Sequence, residues 1–491
     1  MASVLWEVEP LRVELRTAFG TAHSSTTTRT NALVRCVLEV HDDADAGRPR
    51  RAVVGIAEVG LPPKKPGVYD AEYADVERLV SEGVGPSGGV PDLSNLPEWC
   101  LPDARRAIRE GPRASACERA LLAALASIDA SARAPEPSLP AARAGLEVAL
   151  LDAWAKLRGV SLRALLGFPS SPSPSPSPSP SPSPPRRDVV PSYYTVAAAP
   201  DDDLDALLAN ARWGRRRTPF IKLKVRANLE ETAAALDAVV RLARETGAEA
   251  DARAGAGDAD TTPTGSMTSQ TPPKPSSRRR WIALDANASW TAETTEAALA
   301  ALSTYLPSVA VLEQPYPADV TRARGASAAA WARAVRGWRR AGVLVTADES
   351  AADGEDVAAL ASMGLADAVN VKMEKAGGPR GMVRAAEAAK RVGVRTWLGI
   401  MVCTRLGCSA TAELRDLVTM GGGDDRPGDG DGDRHGDGDD GNPRALAFCD
   451  LDGSLLCAEA SQARFAGGVE WRDGEGVVPC DGPGHGVTER R

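Results

Sequence analysis

The chain has 491 residues, 43% of them hydrophobic, and a formal net charge of −8. This length allows two packed domains, and the acidic balance argues against nucleic acid because phosphate binding needs a concentrated basic surface. The sequence contains no run of about 18 apolar residues and no secretory or transit pattern. We therefore expect a cytoplasmic protein that acts on a small molecule without a membrane partner, and homo-oligomerisation is left open.

The cysteines give no sign of a metal site. Eight are scattered along the sequence, and none belongs to a CxxC pair. Neither a zinc site nor a disulfide framework is therefore indicated. We expect reduced thiols that are mostly buried as small apolar groups.

Residues 1–169 are predicted to form a small α+β domain. The run ALVRCVLEV at 32–40 is rich in β-branched residues and indicates a strand. Helical periodicity then takes over, most clearly in AGLEVALLDAWAKLRG at 144–159. Its apolar residues are predicted to share one helical face, and they are Leu146, Ala149, Leu150, Ala153, Trp154 and Leu157.

Three segments differ sharply in composition from the rest of the chain. They are a Ser-Pro repeat at 170–185 within a linker at 170–187, a Gly/Thr/Ser/Pro stretch at 252–279 and a Gly/Asp run at 421–443. Such compositions favour solvated chain because they lack the apolar residues that offset ordering entropy. We predict three disordered segments. The Gly/Asp run could suggest a calcium site, but it lacks the spaced Glu of an EF-hand loop.

Residues 188–457 are predicted to form a (β/α)8 barrel. Short apolar runs alternate with helical stretches, which indicates parallel βαβ units, and eight strands fit a closed barrel. An open doubly wound sheet would alternate in the same way, but no GxGxxG follows the first strand. The predicted strands lie at 189–196, 220–225, 281–286, 309–314, 343–348, 368–373, 394–401 and 446–452.

Carboxylates follow three consecutive predicted strands. Asp285, Glu313 and Asp348 each stand at the end of an apolar run, and the carboxyl ends of barrel strands meet at one mouth. One such residue alone is more often a helix N-cap or a surface charge. Three in register repel each other, which favours a site for a hard divalent cation.

Lysines complete this pattern. Lys222 and Lys224 are two residues apart in FIKLKV and therefore share one face of a strand. Lys372, the next-to-last residue of AVNVKM, lies at the end of the sixth predicted strand, roughly across the barrel. A lysine in an apolar strand usually extends to solvent or forms an ion pair. Beside a metal site, burial and neighbouring cations are expected to lower the ammonium pKa towards that of a general base.

On the basis of these residues, the sequence resembles the enolase superfamily. Within the muconate-lactonising subgroup of that superfamily, it resembles the dipeptide epimerases related to L-Ala-D/L-Glu epimerase. The resemblance implies an α+β capping domain over a modified (β/α)8 TIM-type barrel, with residues 458–491 returning to the cap. The matching motifs are FIKLKV (220–225), LDAN (284–287), LEQP (312–315), ADES (347–350), NVKMEKAGG (370–378), GIMVCTRLG (399–407) and DLDGSLL (450–456).

The resemblance also implies a mechanism. Mg²⁺ is held by Asp285, Glu313 and Asp348. Lys224 and Lys372 act on opposite faces of the substrate, and Lys222 supports Lys224. One lysine removes the α-proton to form an enediolate and the other returns a proton from the far side. The expected enzyme is an isomerase, a dipeptide epimerase that inverts the α-carbon of the C-terminal residue.

Specificity rests on residues that separate the dipeptide epimerases from their neighbours. In that family Asp450 and Asp452 hold the substrate ammonium, although a strand-end turn or helix N-cap would also explain them. Ser24 stands where the Ala-Glu epimerases carry an arginine for the side-chain carboxylate. Arg29 could take the place of that arginine, but a surface role is expected for it, so dipeptides without glutamate are favoured. Cys403 replaces an acidic residue of many relatives, which puts hydrogen bonding behind the seventh strand in question.

Three alternatives remain. Another subgroup enzyme, such as a cycloisomerase, an o-succinylbenzoate synthase or an N-acylamino acid racemase, has no use for Asp450 and Asp452. A non-catalytic binding barrel has no use for the carboxylates and lysines. A Schiff-base lyase uses a barrel lysine but needs no three adjacent carboxylates.

Overall fold

The computed structural model describes residues 2–20, 25–40, 51–65, 68–83, 90–131, 139–169, 189–197, 203–256, 280–420, 449–480 and 482–490. The Ser-Pro repeat, the Gly/Asp run and Ser24 lie outside these ranges, as does the stretch at 257–279. The residues at 252–256 continue a helix. The boundaries of the predicted domains stay predictions.

The cap contains a three-stranded antiparallel sheet in the order β1 (Ala2–Gly20), β2 (Ser25–Val40) and β3 (Arg51–Val59). Alternate residues of β2 are fully buried, as a strand with one face on a core requires; they include Ala32, Val34, Cys36 and Leu38. The predicted strand at 32–40 and the α+β cap are thereby confirmed. Helices follow as α1 (Tyr73–Arg78), α2 (Pro102–Glu110), α3 (Ala116–Ser131), α4 (Pro140–Arg158) and α5 (Leu162–Leu166).

Helix α4 is buried on almost every side, which its sequence pattern did not predict. Leu151, Asp152 and Ala155 lie off the predicted face but are as inaccessible as the residues on it. The reason is that α4 packs against β3 on one side and against the barrel on the other. At Gly55 of β3 the contact is so close that a Cβ atom would lie 2.0 Å from the Ala149 carbonyl oxygen.

Eight parallel strands form the barrel, and they neighbour each other in chain order. The first and last strands meet so that the barrel is nearly closed, and there the Leu451 N–H donates to Ser192 Oγ (2.8 Å) and the Thr195 N–H donates to Asp452 Oδ2 (2.5 Å). This order confirms the predicted barrel over a doubly wound sheet. The strands are β4 (Tyr193–Val196), β5 (Phe220–Lys224), β6 (Ile282–Asp285), β7 (Val309–Glu313), β8 (Leu344–Ala347), β9 (Ala368–Val371), β10 (Arg395–Gly399) and β11 (Cys449–Asp450).

Helices surround these strands, and within the described ranges none combines the length and low charge that a membrane-spanning helix needs. All eight cysteines are free, and six are buried, as expected. The helices are α6 (Leu204–Arg215), α7 (Leu229–Ala256), α8 (Ala292–Ala301), α9 (Gly325–Arg340), α10 (Gly354–Ser362), α11 (Met373–Ala376), α12 (Pro379–Arg391), α13 (Arg405–Ala412), α14 (Leu417–Met420), α15 (Gly453–Leu456) and α16 (Glu459–Gln462).

The C-terminal segment lies against the cap. His485 is buried there, where its backbone N–H donates to Asp152 Oδ1 (3.1 Å) and its Nε2 lies 2.8 Å from the Ile56 carbonyl oxygen. The segment forms two short antiparallel pairs. In these pairs β12 (Phe465–Gly467) joins β15 (Val487–Glu489), and β13 (Glu470–Arg472) joins β14 (Gly476–Val478).

One buried arginine connects the cap to the barrel and should contribute strongly to stability. Arg380 of α12 donates to Glu147 Oε2 (2.9 Å) and to Asp129 Oδ1 (2.8 Å), and it is 2% exposed. We expect Arg380→Ala to lower the free energy of unfolding by about 3–5 kcal/mol, because Glu147 remains buried without its cation. Urea denaturation measures this change. Arg336→Ala on the exposed side of α9 is the control, and equal effects of both variants would contradict the prediction.

Candidate active site

The three predicted carboxylates lie together at the barrel mouth. Asp285 and Glu313 are the last residues of β6 and β7, and Asp348 directly follows β8. All three are at most 1% exposed. Because these strands are adjacent and parallel, their carboxyl ends bring the side chains to one rim.

Lys222 stands among the carboxylates. Its Nζ lies 2.7 Å from Glu313 Oε2, 2.7 Å from Asp450 Oδ2 and 3.3 Å from Asp285 Oδ2. This ammonium lines the cavity and is paired with three carboxylates. Its position fits the electrostatic support predicted for it, and that role stays a prediction.

Lys224 and Lys372 occupy opposite sides of this mouth. Lys224 Nζ donates to Asp285 Oδ2 and to Asn287 Oδ1, both at 2.9 Å. Lys372 Nζ donates to Asp348 Oδ2 at 2.7 Å. The two lysines come from the second strand and from the end of the sixth strand of eight, four positions apart in a closed barrel. They therefore face each other across the barrel axis.

The pKa values of Lys222 and Lys372 are shifted in the direction opposite to that predicted from the sequence. Burial lowers the pKa of Lys372, but the nearby Asp348 carboxylate outweighs it and the pKa is raised. For Lys222, burial is likewise outweighed by Asp450 and Glu313, so its pKa lies well above the usual value. The predicted lowering of the pKa is thus wrong for Lys222 and Lys372, because each of these two ammonium groups pairs with a carboxylate.

The carboxylates fit a divalent cation by their chemistry. Burial raises the pKa of Glu313 to about 8, Lys222 opposes this rise, and the charges of Asp285 and Asp348 add to it. Glu349 Oε2 is buried without a hydrogen-bond partner in the described chain. Clustered carboxylate oxygens are the ligands that Mg²⁺ takes. As they stand, the described His, Cys, Asp and Glu side chains form no ready three-ligand group, since lysines occupy the oxygens.

Asp450 and Asp452 both line the cavity at the mouth, which has a volume of about 240 Å³. Asp450 is already engaged, because its Oδ2 accepts from Lys222 and its Oδ1 accepts from Trp397 Nε1 (3.2 Å). Asp452 Oδ2 accepts the Thr195 N–H, and burial together with Asp450 raises the pKa of Asp452 to about 6. Asp452 precedes α15, yet its side chain makes no capping hydrogen bond. Of the two, Asp452 is the more available to a ligand.

Arg29 lines the same cavity from the cap and is 8% exposed. The expectation of a surface role is therefore wrong. Residue 29 belongs to β2, where it shares the buried face with Asn31 and Leu33. Its Nη1 lies 3.4 Å from the Thr28 carbonyl oxygen, and no described carboxylate lies within ion-pair distance. Burial accordingly lowers the pKa of Arg29.

Several polar residues that position the site were not singled out from the sequence. Lys375 donates to Asp348 Oδ1 (2.6 Å) and to the Asn370 carbonyl (2.8 Å). Gln314 Oε1 accepts the Asp348 N–H at 2.6 Å, and Asn370 Nδ2 donates to Glu313 Oε1 at 3.0 Å. Each lies within one of the strand-end motifs, so the motif positions themselves were the available signal.

Hydrogen bonding behind the seventh strand does not depend on residue 403. The buried carboxylate of Glu58, from the cap, accepts from the Thr404 N–H (2.8 Å), from Thr404 Oγ1 (2.6 Å) and from Asn31 Nδ2 (2.7 Å). Cys403 Sγ lies 3.8 Å from Cys408 Sγ. A carboxylate from another element therefore supplies the acceptor that Cys403 lacks.

Fold and site together define a capped barrel with buried carboxylates and lysines at its mouth. Residues 276–491 match the family model described as "Enolase C-terminal domain-like". An enolase superfamily member from Dictyostelium discoideum is 26% identical over 442 residues, which cover 85% of this chain and 86% of that protein. The chain is thus similar to an enolase superfamily protein over most of its length. The L-Ala-D/L-amino acid epimerase of Pedosphaera parvula is 31% identical over 141 residues, 28% of this chain and 37% of that protein.

Solved structures share this fold. The muconate lactonizing enzyme of Pseudomonas fluorescens, complexed with muconolactone, has a TM-score of 0.63 at 18% identity and covers 100% of this chain and 97% of its own. The dipeptide epimerase of Cytophaga hutchinsonii, complexed with Mg and D-Ala-L-Val, has a TM-score of 0.60 at 17% identity, with 100% and 96% covered. At these identities the likeness extends to the fold alone.

Proposed function

We propose that this protein is a Mg²⁺-dependent dipeptide epimerase that inverts the α-carbon of the C-terminal residue. The observation that carries this proposal is the pair Lys224 and Lys372, which face each other across a mouth lined by buried carboxylates. Inversion requires proton removal on one face and delivery on the other. A pair of amines on opposite sides of one cavity can do both.

The roles of the residues follow from their positions. Asp285, Glu313 and Asp348 would hold the Mg²⁺, which when bound neutralises negative charge that develops on the substrate carboxylate. One of Lys224 and Lys372, as a neutral amine, removes the α-proton from one face, and the other, as an ammonium, delivers its own proton to the opposite face. The ion pairs of Lys222 with Glu313 and Asp450 keep the carboxylates in place.

The carboxylate of Asp452 is the feature that favours a dipeptide as the substrate. It lies in the cavity wall, is 3% exposed and bonds to the Thr195 N–H. An ammonium at the N-terminus of a dipeptide would supply the cation that this carboxylate lacks. The dipeptide epimerase of Cytophaga hutchinsonii, crystallised with Mg and D-Ala-L-Val, supports the same substrate class.

The direct test is to incubate a dipeptide library with the protein and Mg²⁺ in D₂O. Epimerised substrates gain one mass unit as the α-proton is replaced by deuterium. Muconate and N-acyl amino acids in parallel reactions test the subgroup alternatives. Deuterium gain in N-acyl amino acids without gain in any dipeptide would overturn the proposed substrate class.

Recognition of the ammonium gives a second prediction. Wild-type protein should prefer a free dipeptide over its N-acetylated form, and Asp452→Asn should reduce that preference about tenfold to a hundredfold, the range for a hydrogen bond to a charged group. The measurement is kcat/KM for both substrates. Asp416→Asn, outside the cavity, is the control. A preference that survives unchanged in Asp452→Asn would assign the ammonium to another residue.

Arg29 gives a third prediction, because a buried guanidinium without a carboxylate partner favours an anionic ligand. We expect a substrate with a side-chain carboxylate to be preferred over its amide analogue, contrary to the expectation drawn from Ser24. Arg29→Gln should lower kcat/KM for Ala-Glu about tenfold and leave Ala-Gln nearly unchanged. Lys64→Gln, at a half-exposed neighbour on the cavity rim, is the matched control. Equal losses for both dipeptides would refute this role.

A further inference from the structure

A second polar cleft lies outside the barrel mouth, where the cap meets helices α10 and α12. It has a volume of about 850 Å³ and is lined by the cap loop at 94–97, by Arg143 of α4 and by Arg384 and Arg391 of α12. Arg384 and Arg391 are seven residues apart and therefore share one face of the helix. The cleft is thus bordered by three guanidinium groups from two different elements.

Arg143 and Arg384 have no carboxylate partner among the described residues, unlike the nearby Arg380. Arg380, one turn before Arg384, takes both available acids, since it pairs with Asp129 (2.8 Å) and Glu147 (2.8 Å). Among the described residues, neither Arg143 nor Arg384 forms an ion pair or a hydrogen bond through its side chain. Their planar donor groups therefore point into the cleft without an acceptor.

The acids that line the cleft do not neutralise these arginines. Asp353 caps α10, where its Oδ1 accepts the N–H groups of Glu355 (2.9 Å) and Asp356 (3.1 Å). Glu355 and Glu387 also border the cleft, and neither lies within ion-pair distance of a described arginine. Burial lowers the pKa of Arg143, the nearby Glu147 carboxylate opposes this shift, and the charge of Arg384 adds to it. Three carboxylates therefore border the cleft without pairing with Arg143 or Arg384, and the N–H donors of these two arginines have no acceptor among the described residues.

The backbone makes room for one of these side chains. Gly377 has φ of 77°, in the left-handed region. A Cβ atom there would lie 2.8 Å from Arg143 Nη2. Any larger residue would displace the guanidinium, so this turn is shaped to hold Arg143 at the cleft.

We propose that this cleft binds a small anion with phosphate or carboxylate oxygens, through Arg143 and Arg384. Guanidinium groups present paired N–H donors that match both kinds of oxyanion. The site is separate from the barrel mouth and shares none of its lining residues. It does not depend on the proposed epimerase activity.

The test uses the full chain and inorganic phosphate, with citrate as a second probe and chloride at matched ionic strength as the reference. Phosphate should raise Tm in a saturable way, because a ligand that binds only the folded state stabilises it. Calorimetric titration gives the affinity. Arg143→Gln with Arg384→Gln should weaken binding by about tenfold or more, whereas Arg336→Gln should leave it unchanged.

Two further variants keep the test decisive. Arg384→Lys retains the charge but removes the paired donors, so an intermediate loss of affinity is expected even if the double variant folds poorly. Arg29→Gln reports on anions bound at the barrel mouth. The proposal is overturned if phosphate binding is lost in Arg29→Gln and unchanged in the variants at 143 and 384. It is also overturned if chloride gives the same shift in Tm as phosphate. A stronger response to citrate than to phosphate would identify a carboxylate ligand.

Discussion

Replacing Lys372 by alanine is expected to lower net epimerisation by about 10³-fold, and replacing Lys224 should have an effect of the same size. Each amine reaches only one face of a substrate held between them, because the lysines come from strands four positions apart in the barrel. Proton transfer by a positioned side chain contributes about 10²- to 10⁴-fold to a rate. Inversion needs both transfers, so one missing amine stops it.

The two variants should nevertheless differ from each other. Each retains one lysine and can exchange the α-proton of one stereoisomer with D₂O. The measurement is deuterium uptake from the L,L and L,D forms of one dipeptide, followed for wild type and both variants. Lys390→Ala, on the exposed side of α12, serves as the control. Substantial epimerisation in either active-site variant would refute a two-base mechanism.

Removal of divalent metal is the second change with a large expected effect. Chelation should lower the rate by about 10³-fold or more, because a bound divalent cation supplies several kcal/mol of charge stabilisation. Added Mg²⁺ should restore the rate. Mg²⁺ should also raise Tm of the wild-type protein, since its ligands are assembled only in the folded chain.

A variant separates the metal site from general salt effects. Glu313→Gln keeps the shape of a fully buried side chain but removes one carboxylate, so Mg²⁺ should no longer raise Tm. Glu296→Gln, at a partly exposed surface pair, should respond like wild type. Full activity of the chelated wild-type protein would contradict the metal assignment.

The eight barrel strands were predictable because each is a local sequence feature. A short apolar run that ends at a polar residue, as at Asp285, predicts a strand. It also predicts the direction in which the last side chain of that strand points. The spacing of Lys222 and Lys224 likewise placed both on one face of β5 and at the same carboxylates. Where function depends on strand ends, the sequence and the three-dimensional site agree.

The features that the sequence did not reveal depend on contacts between distant elements. Arg29 belongs to a strand whose extent is set by pairing with β1, for example at Val13. Asp450 is turned to Lys222 by closure of the barrel, 228 residues away in sequence. The direction of the pKa shift of Lys372 follows from its pairing with Asp348. None of these contacts leaves a periodic signal in the chain.

The division of the cavity between the two parts of the chain has a consequence for how substrate range can change. Lys222, Lys224, Lys372 and the three strand-end carboxylates belong to the barrel, whereas Arg29 and the rim residues at 61–65 and 69 belong to the cap. A new preference can therefore arise through substitutions in the cap that leave the proton-transfer groups untouched. A chimaera with a cap from another family member would be expected to keep α-proton exchange while accepting a different side chain.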